Sequence, residues 1–399
     1  MKHLLRPCPI CRGSLGEVLH TQHFDLPEED PLPREYDVVA CGQCGFAFAD
    51  TPAPQSTYDT YYSSRSKYED RTVGTGGGDS VHDRQRLEDL AGFLAEQVPW
   101  RDRAVLDVGC ANGGLLQALQ RCGFTRLSGI DPSPRCAANV RALGFDAHTG
   151  GLFALPDLGR FALVSLSHVL EHVRDLDSAT TALRGLIEED GLLYVETPDA
   201  AGYAECLRAP FQDFNTEHIN HFTRRSLENL LIGAGFAPIA GGEKVFEAGH
   251  DVPVAAVFAL ARRASSPPAQ PPVYDQRSVD RVRTYIERSA EQLRRIDGVI
   301  APHLGGPIQV WGTGQLLFKL LHDTCLGRAQ IRAFLDNNPK LQGSTLRGVP
   351  VRSPADADPE VPILVASTLH GEAIAAAARA LGLLNELIFL PALPRPGQR

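Results

Sequence analysis

The sequence predicts an α/β protein with two sheet-bearing units and a small cysteine-paired head, and three observations carry that expectation. Between Arg103 and Arg263, short apolar runs (AVLDVG, RLSGID, FALVSL and GLLYVET) alternate with stretches of helical spacing. That alternation is the mark of a parallel sheet with crossover helices. It starts again behind a charged helix at about Ser278 to Val299, with IQVWG, IRAFLD, PILVAS and ELIFLP as strands. Four of the nine cysteines stand as two C-x-x-C pairs near the N-terminus.

Taken in order, the chain up to about Thr51 mixes these pairs with Pro-rich turns and the short β-like runs YDVVA and FAFAD. Pro52 to Gly78 is rich in Tyr, Ser and Gly, and three successive glycines predict a mobile loop, since glycine loses the most backbone freedom when fixed. Leu87, Leu90 and Leu94 recur at helical spacing, so Asp79 to Val98 reads as an amphipathic helix. KVFEAG and PVAAVFAL close the first sheet, and RRASSPPAQPP marks a boundary by its Pro and Ser content. The expected division is a metal-binding head at 1–60, a Tyr/Gly-rich flap with a connecting helix at 61–100, a ligand-binding α/β core at 101–265, and a second α/β domain at 266–399. A chain of 399 residues has room for these parts.

Composition narrows the partners. Hydrophobic residues at 43% and charged residues at 22% form an ordinary globular balance that supports sizeable cores. A net charge of −9 is opposite in sign to the basic footprint of a nucleic-acid binder. The start MKHLLRPCPIC lacks the apolar core of a signal peptide, and no run approaches membrane-spanning length. The expected setting is the cytoplasm, with a small molecule as partner and neither nucleic acid nor membrane.

A C-x-x-C turn aims two thiolates at one point, and two such turns complete the tetrahedral sulfur set that suits zinc. Cys8, Cys11, Cys41 and Cys44 are the expected ligands of a closed, structural site. Gly42 and Gly45 are expected to relieve crowding around the second knuckle. The other reading, a redox pair with two bystanders, requires two matched pairs to arise by accident. Such a metal would hold together a region short of apolar mass.

VLDVGCANGGLLQAL sets an acid at a strand end, then a glycine turn, then a helix. Asp107, Gly109 and Gly113 let backbone come close to a ligand at the helix N-terminus. The next strand ends in Asp131, whose carboxylate can accept from two vicinal ribose hydroxyls. The spacing does not fit G-x-G-x-x-G, because Ala111 stands where the second glycine would.

This turn resembles the first motif, D-x-G-x-x-x-G, of class I S-adenosylmethionine (AdoMet)-dependent methyltransferases. GIDPSP, FALVSLSHVLEHV and GLLYVETP resemble the later motifs, in order, over Arg103 to about Ala264. The resemblance implies a Rossmann-like core in which the Asp107–Gly113 turn, with Gly109 and Cys110, meets the methionine part. It implies that Asp131 holds the ribose, that Pro132 and the backbone near Leu152 flank the adenine, and that Ser167 and His168 line the sulfonium. No carboxylate stands at Gly151 or Leu152, where an adenine-amino acceptor is frequent.

After the fifth strand of the core comes FNTEHINHF, Phe214 to Phe222, which holds a carboxylate, two imidazoles and two amides. With the cysteine head in front and an α/β unit behind, the whole chain resembles the three-part sugar C-methyltransferases of deoxysugar biosynthesis. Those enzymes methylate a carbon next to a ketone on a nucleotide-linked sugar. The chemistry needs a base near neutral pKa and a donor for the developing enolate oxygen. The resemblance implies His218 as base, Glu217 as its orienter or a ligand of a substrate hydroxyl, and His172 and Tyr61 near the sugar. Asn215 stands where the family often has a tyrosine. His221 is expected to be structural. An oxygen methyltransferase acting on a saccharide or natural product remains the other enzymatic reading.

The C-terminal run VWGTGQLLFKLL is again strand, glycine turn and helix, with Asp336 ending the next strand. Gly312 and Gly314 fit a dinucleotide fingerprint, whereas Leu317 takes the place of its third glycine. Three readings stand open: a bound NAD in a bifunctional or relic oxidoreductase, a nucleotide-binding or interaction module, and the family's own closing domain for the substrate's nucleotide end.

Overall fold

The computed structural model describes residues 1–26, 30–65, 79–155, 157–250, 252–264 and 271–391. The chain divides into two compact units. The first comprises 1–18, 38–206 and 217–282; the second comprises 19–37, 207–216 and 283–399.

The N-terminal strands are β1 (Lys2–His3), β2 (Leu15–His23), β3 (Glu35–Cys41) and β4 (Ala47–Asp50), with β1 paired antiparallel to β2. Helix α1 (Gln55–Arg65) follows, so the Tyr-rich segment begins as a helix and not as the expected loop. The reason is local: QSTYDTYYSSR contains neither Gly nor Pro. The three glycines of that segment lie outside the described residues. Helix α2 (Val81–Gln97) starts on Ser80, whose hydroxyl accepts from Asp83 N, a cap that contributes about 1 kcal/mol.

The core then alternates β5 (Ala104–Val108), α3 (Gly114–Arg121), β6 (Arg126–Asp131), α4 (Pro134–Ala142), β7 (Asp146–Thr149), β8 (Phe161–Ser167), α5 (Leu176–Leu186) and β9 (Ile187–Pro198). A two-residue strand β10 (Asn220–His221), helix α6 (Arg224–Gly233), and the long strands β11 (Phe236–Glu247) and β12 (Pro253–Arg263) complete the unit. The sheet order is β11-β12-β9-β8-β5-β6-β7, with β5 to β9 parallel and β12 antiparallel to both its neighbours. Inward-facing residues alternate: Leu106, Val108, Val164 and Leu166 pack on α5 and α6, whereas Val105 and Leu163 pack on α2 and α3. Both faces are thus covered, as a parallel sheet requires. The strand order reverses beside β5, and ligands of such sheets bind outside the carboxyl ends of the strands at that reversal.

Helix α7 (Gln276–Ile300) precedes β13 (Pro307–Trp311), α8 (Gln315–Asp323), β14 (Gln330–Leu335), β15 (Thr345–Leu346), β16 (Val349–Arg352), β17 (Ile363–Val365), α9 (Gly371–Ala380) and β18 (Leu387–Phe389). Their order is β15-β16-β14-β13-β17-β18, parallel except for β15. Among the described residues, no helix is long and apolar enough to cross a membrane.

Candidate active site

The first glycine turn is built as the sequence implies. Gly109 has φ 74°, and a Cβ there would lie 2.6 Å from Val169 Cγ2, so both backbone angle and space demand glycine. Ala111 (φ 45°) and Gly113 (φ 82°) keep the turn left-handed, and Gly113 caps α3. Asp131 ties the turn to the next strand: one carboxylate oxygen accepts from Ala111 N and the other from Ser133 N, each at 2.9 Å. These two backbone donors hold the carboxylate in place at the end of β6. Asp107 is buried and accepts from Ser165 Oγ at 2.8 Å; burial pushes its carboxyl up to about 7.

The Cys110 side chain belongs to the core, where a Cβ on Gly129 would meet its Sγ at 2.7 Å. Its thiol is packed within that core. Leu152 likewise places its side chain in the core, and Pro132 is half-buried just after β6.

At the end of β8, Ser167 Oγ accepts from Arg86 Nη1 at 3.0 Å. His168 turns the chain with φ 57°, a costly conformation for a residue with a Cβ. Its amide donates to Glu196 O, and its ring spans two buried carboxylates, Nδ1 at 3.4 Å from Glu171 and Nε2 at 3.3 Å from Glu196. Burial alone would lower the His168 pKa, but the two carboxylates outweigh it and raise it. Burial would likewise raise Glu196, yet His168, Lys244 (2.6 Å) and Arg86 (3.5 Å) hold it well below the usual carboxylate range. Tyr194 Oη also donates to Glu196, at 2.5 Å.

A second cluster stands beside this one. A 3₁₀ turn, Leu170–His172, presents His172, which is 8% exposed. Tyr62 Oη lies 2.7 Å from His172 Nδ1 and donates to Glu217 Oε2 at 3.2 Å; Tyr61 Oη donates to Glu217 Oε1 at 3.3 Å. The His172 and His218 rings meet edge to face, with centroids 4.8 Å apart. The loop carrying Glu217 and His218 is pinned directly after the pair. Ile219 N donates to Glu171 O, and Asn220 and His221 pair with Phe48 and Ala47 of β4. A capping box at Thr223 and Ser226 then starts α6. His221 is fully buried 3.4 Å from Tyr203 Oη, and burial pushes its pKa down to about 3.

Of the expected catalytic set, Tyr61, His172, Glu217 and His218 come together. Asn215 belongs to the second unit, where Nδ2 donates to Gln212 O and its carbonyl accepts from Tyr36 Oη. Tyr62, Arg86, Glu196 and Lys244 were not foreseen. A signal existed for Arg86: it forms an i,i+3 pair with Asp83 on the stripe that also buries Leu87, Leu90 and Leu94. Charges on a buried stripe imply partners.

In the head, Cys8 and Cys44 sulfurs lie 3.6 Å apart, Cys11 and Cys41 3.4 Å apart, and all four lie within 4.8 Å of one another. A tetrahedral zinc–thiolate site places sulfurs roughly 3.8 Å apart, so the set fits such an ion. Gly13 N and Gln43 N donate to Cys11 and Cys41 sulfurs. The expected roles of Gly42 and Gly45 need correction. A Cβ on Gly45 (φ 76°) would collide with Asp275 O at 2.6 Å and one on Gly42 with the Met1 side chain. Gly13 is the residue that lies against the sulfurs.

Residues 82–240 match the profile of a protein family described as a methyltransferase domain. The chain is 27% identical to the C-methyltransferase NovU of Streptomyces niveus, over 91% of this chain and 90% of that protein. It is 29% identical to a ubiquinone biosynthesis O-methyltransferase of Thiobacillus denitrificans, over 26% of this chain and 48% of that protein. A solved structure of the Burkholderia thailandensis 1,6-didemethyltoxoflavin-N1-methyltransferase covers 56% of the chain at 17% identity and a TM-score of 0.39, with 97% of that chain covered. With the matched domain spanning the glycine turn, Asp131 and the β8 motif, the chain is an S-adenosylmethionine-dependent methyltransferase.

Proposed function

We propose that the enzyme methylates a carbon next to a ketone on a nucleotide-linked sugar. The observation that carries this reading is the convergence of Tyr61, Tyr62, His172, Glu217 and His218 in one cluster. The likeness to a C-methyltransferase over nine-tenths of both chains supports the same chemistry. A carbon acid beside a carbonyl must lose a proton before it can attack the methyl group, and an imidazole titrates in the useful range. His218 takes that proton. His172 and the tyrosines stand beside the sugar, and Glu217 accepts from both phenols and fixes them. Asp131 and the Gly109 turn hold AdoMet so that its methyl group faces the carbanion in line. Bound at the four cysteines, zinc would be a structural ion, and Cys41→Ser would expose the head to proteolysis.

The test is incubation with labelled AdoMet and a panel of 4-keto sugar nucleotides, with the product read by carbon NMR. Label on a ring carbon supports the proposal. Label on an oxygen moves the enzyme to O-methylation of a saccharide, and no transfer to any sugar nucleotide removes the acceptor assignment.

A further inference from the structure

We propose that Glu171, His172 and His218 form a second metal site, which takes a divalent cation of the zinc type and silences the enzyme when filled. One ligand-capable atom from each residue lies within 4.8 Å of the others. Glu171 Oε1 lies 3.7 Å from His172 Nε2, so the carboxylate stands directly against that ring nitrogen. Glu171 is 1% exposed, and its Oε2 has no hydrogen-bond partner. A buried carboxylate oxygen left without a donor is the kind of orphan that a bound ion explains.

The surroundings favour a metal-binding tautomer of His172. Its Nδ1 lies 3.1 Å from Glu217 O, an acceptor only, so Nδ1–H donates there and the Nε2 lone pair faces Glu171. His168 engages Glu171 Oε1, leaving Oε2 for the ion. Two imidazoles with one carboxylate are borderline ligands that suit zinc better than magnesium or calcium. Bonds of about 2.0–2.2 Å need the three atoms within about 4 Å of one another, so closing the site asks a shift on the order of an ångström. His218, half-buried and carried on a loop, is the member that would turn toward the other two.

Silencing rests on the reading of His218 as the base. A neutral imidazole has one lone pair, and the metal occupies the pair that would take the substrate proton. Protons compete for the same atoms, so the metal binds more weakly as pH falls.

The experiment counts metal on the full-length chain. Equilibrium dialysis against zinc should give two ions per wild-type chain, one after Cys41→Ser, and one after either Glu171→Gln or His172→Ala. AdoMet binding by calorimetry verifies that these variants are folded. Cobalt in the second site should give visible bands without the sulfur charge-transfer absorption of the cysteine site. A wild-type chain that binds no zinc beyond what Cys41→Ser removes overturns the site, as does full stoichiometry in both Glu171→Gln and His172→Ala. With an accepted substrate, filling the second site should lower turnover more than tenfold, reversibly with a mild chelator; unchanged turnover overturns the silencing. A chain that binds two ions yet methylates no sugar nucleotide, with or without metal, refutes the acceptor assignment and leaves the metal site standing.

Discussion

The chain contains two strand–turn–helix–strand–acid segments, and they differ in what surrounds the turn. In the first, three residues of five (Gly109, Ala111 and Gly113) have positive φ, and each oxygen of Asp131 receives one backbone N–H. In the second, Gly312 provides the positive φ of the turn. Asp336 Oδ2 accepts from both Thr313 N and Thr313 Oγ1, while Oδ1 accepts from Asn338 N. Leu317, standing in place of the third glycine, is fully buried in that unit's core. The first acid is held by two backbone amides, whereas the second is also engaged by a side-chain hydroxyl of its own turn. The greater contrast lies at the neighbouring strand ends. Among the described residues, the histidine- and glutamate-rich cluster capable of holding a metal falls in the first unit, and none falls around Asp336. Equal local patterns therefore do not imply equal chemistry.

The comparison can be broken most sharply at His218. Its replacement by Ala should lower turnover by about 10²- to 10⁴-fold while AdoMet still binds. A labelled-methyl assay beside calorimetry checks this, and an unchanged rate would take His218 out of the mechanism. Next come the two acids: Asp131→Ala should weaken AdoMet about tenfold to a hundredfold, as loss of charge-assisted hydrogen bonds does. Asp336→Ala should leave AdoMet affinity where it was; equal losses in both would erase the distinction drawn above. Tyr62→Phe removes the hydroxyl shared by His172 and Glu217 and should slow turnover about tenfold, with Tyr61→Phe costing less, since it leaves His172 untouched.

The smallest effect on activity at neutral pH belongs to His221. Its pKa is pushed down to about 3 by burial, with Arg6 adding to the shift, so the unfolded chain binds the proton that the folded chain refuses. The stabilisation is present above pH 6.5 and is lost as pH falls toward 3, on the order of a few kcal/mol. Urea unfolding of the wild type and His221→Gln across that range should show a shallower acid slope in the variant. Parallel slopes would mean that other groups govern acid unfolding.

Much of the first unit was legible because strands and helices declare themselves by spacing. AVLDV, RLSGID and FALVSLS form strands where expected, and the cysteine pairs converge. The helix over Gln55–Arg65 escaped notice because composition rich in Tyr and Ser carries no apolar period. Tyr62 was passed over for its neighbour, since two adjacent tyrosines cannot be ranked until the helix fixes which phenol reaches His172. Lys244 and Glu196 were invisible for a different reason: they meet through pairing of β9, β12 and β11, and their partners stand far away in the chain.

By itself, the sequence determined the repeated α/β alternation, the sulfur set and the glycine turn with its acid, because each depends on residues a few positions apart. Only the tertiary structure decided that Glu217 faces two phenols, that His168 is clasped between two carboxylates, and that Cys110 turns inward. Those outcomes depend on desolvation and on pairs remote in sequence, and neither quantity is carried by local spacing.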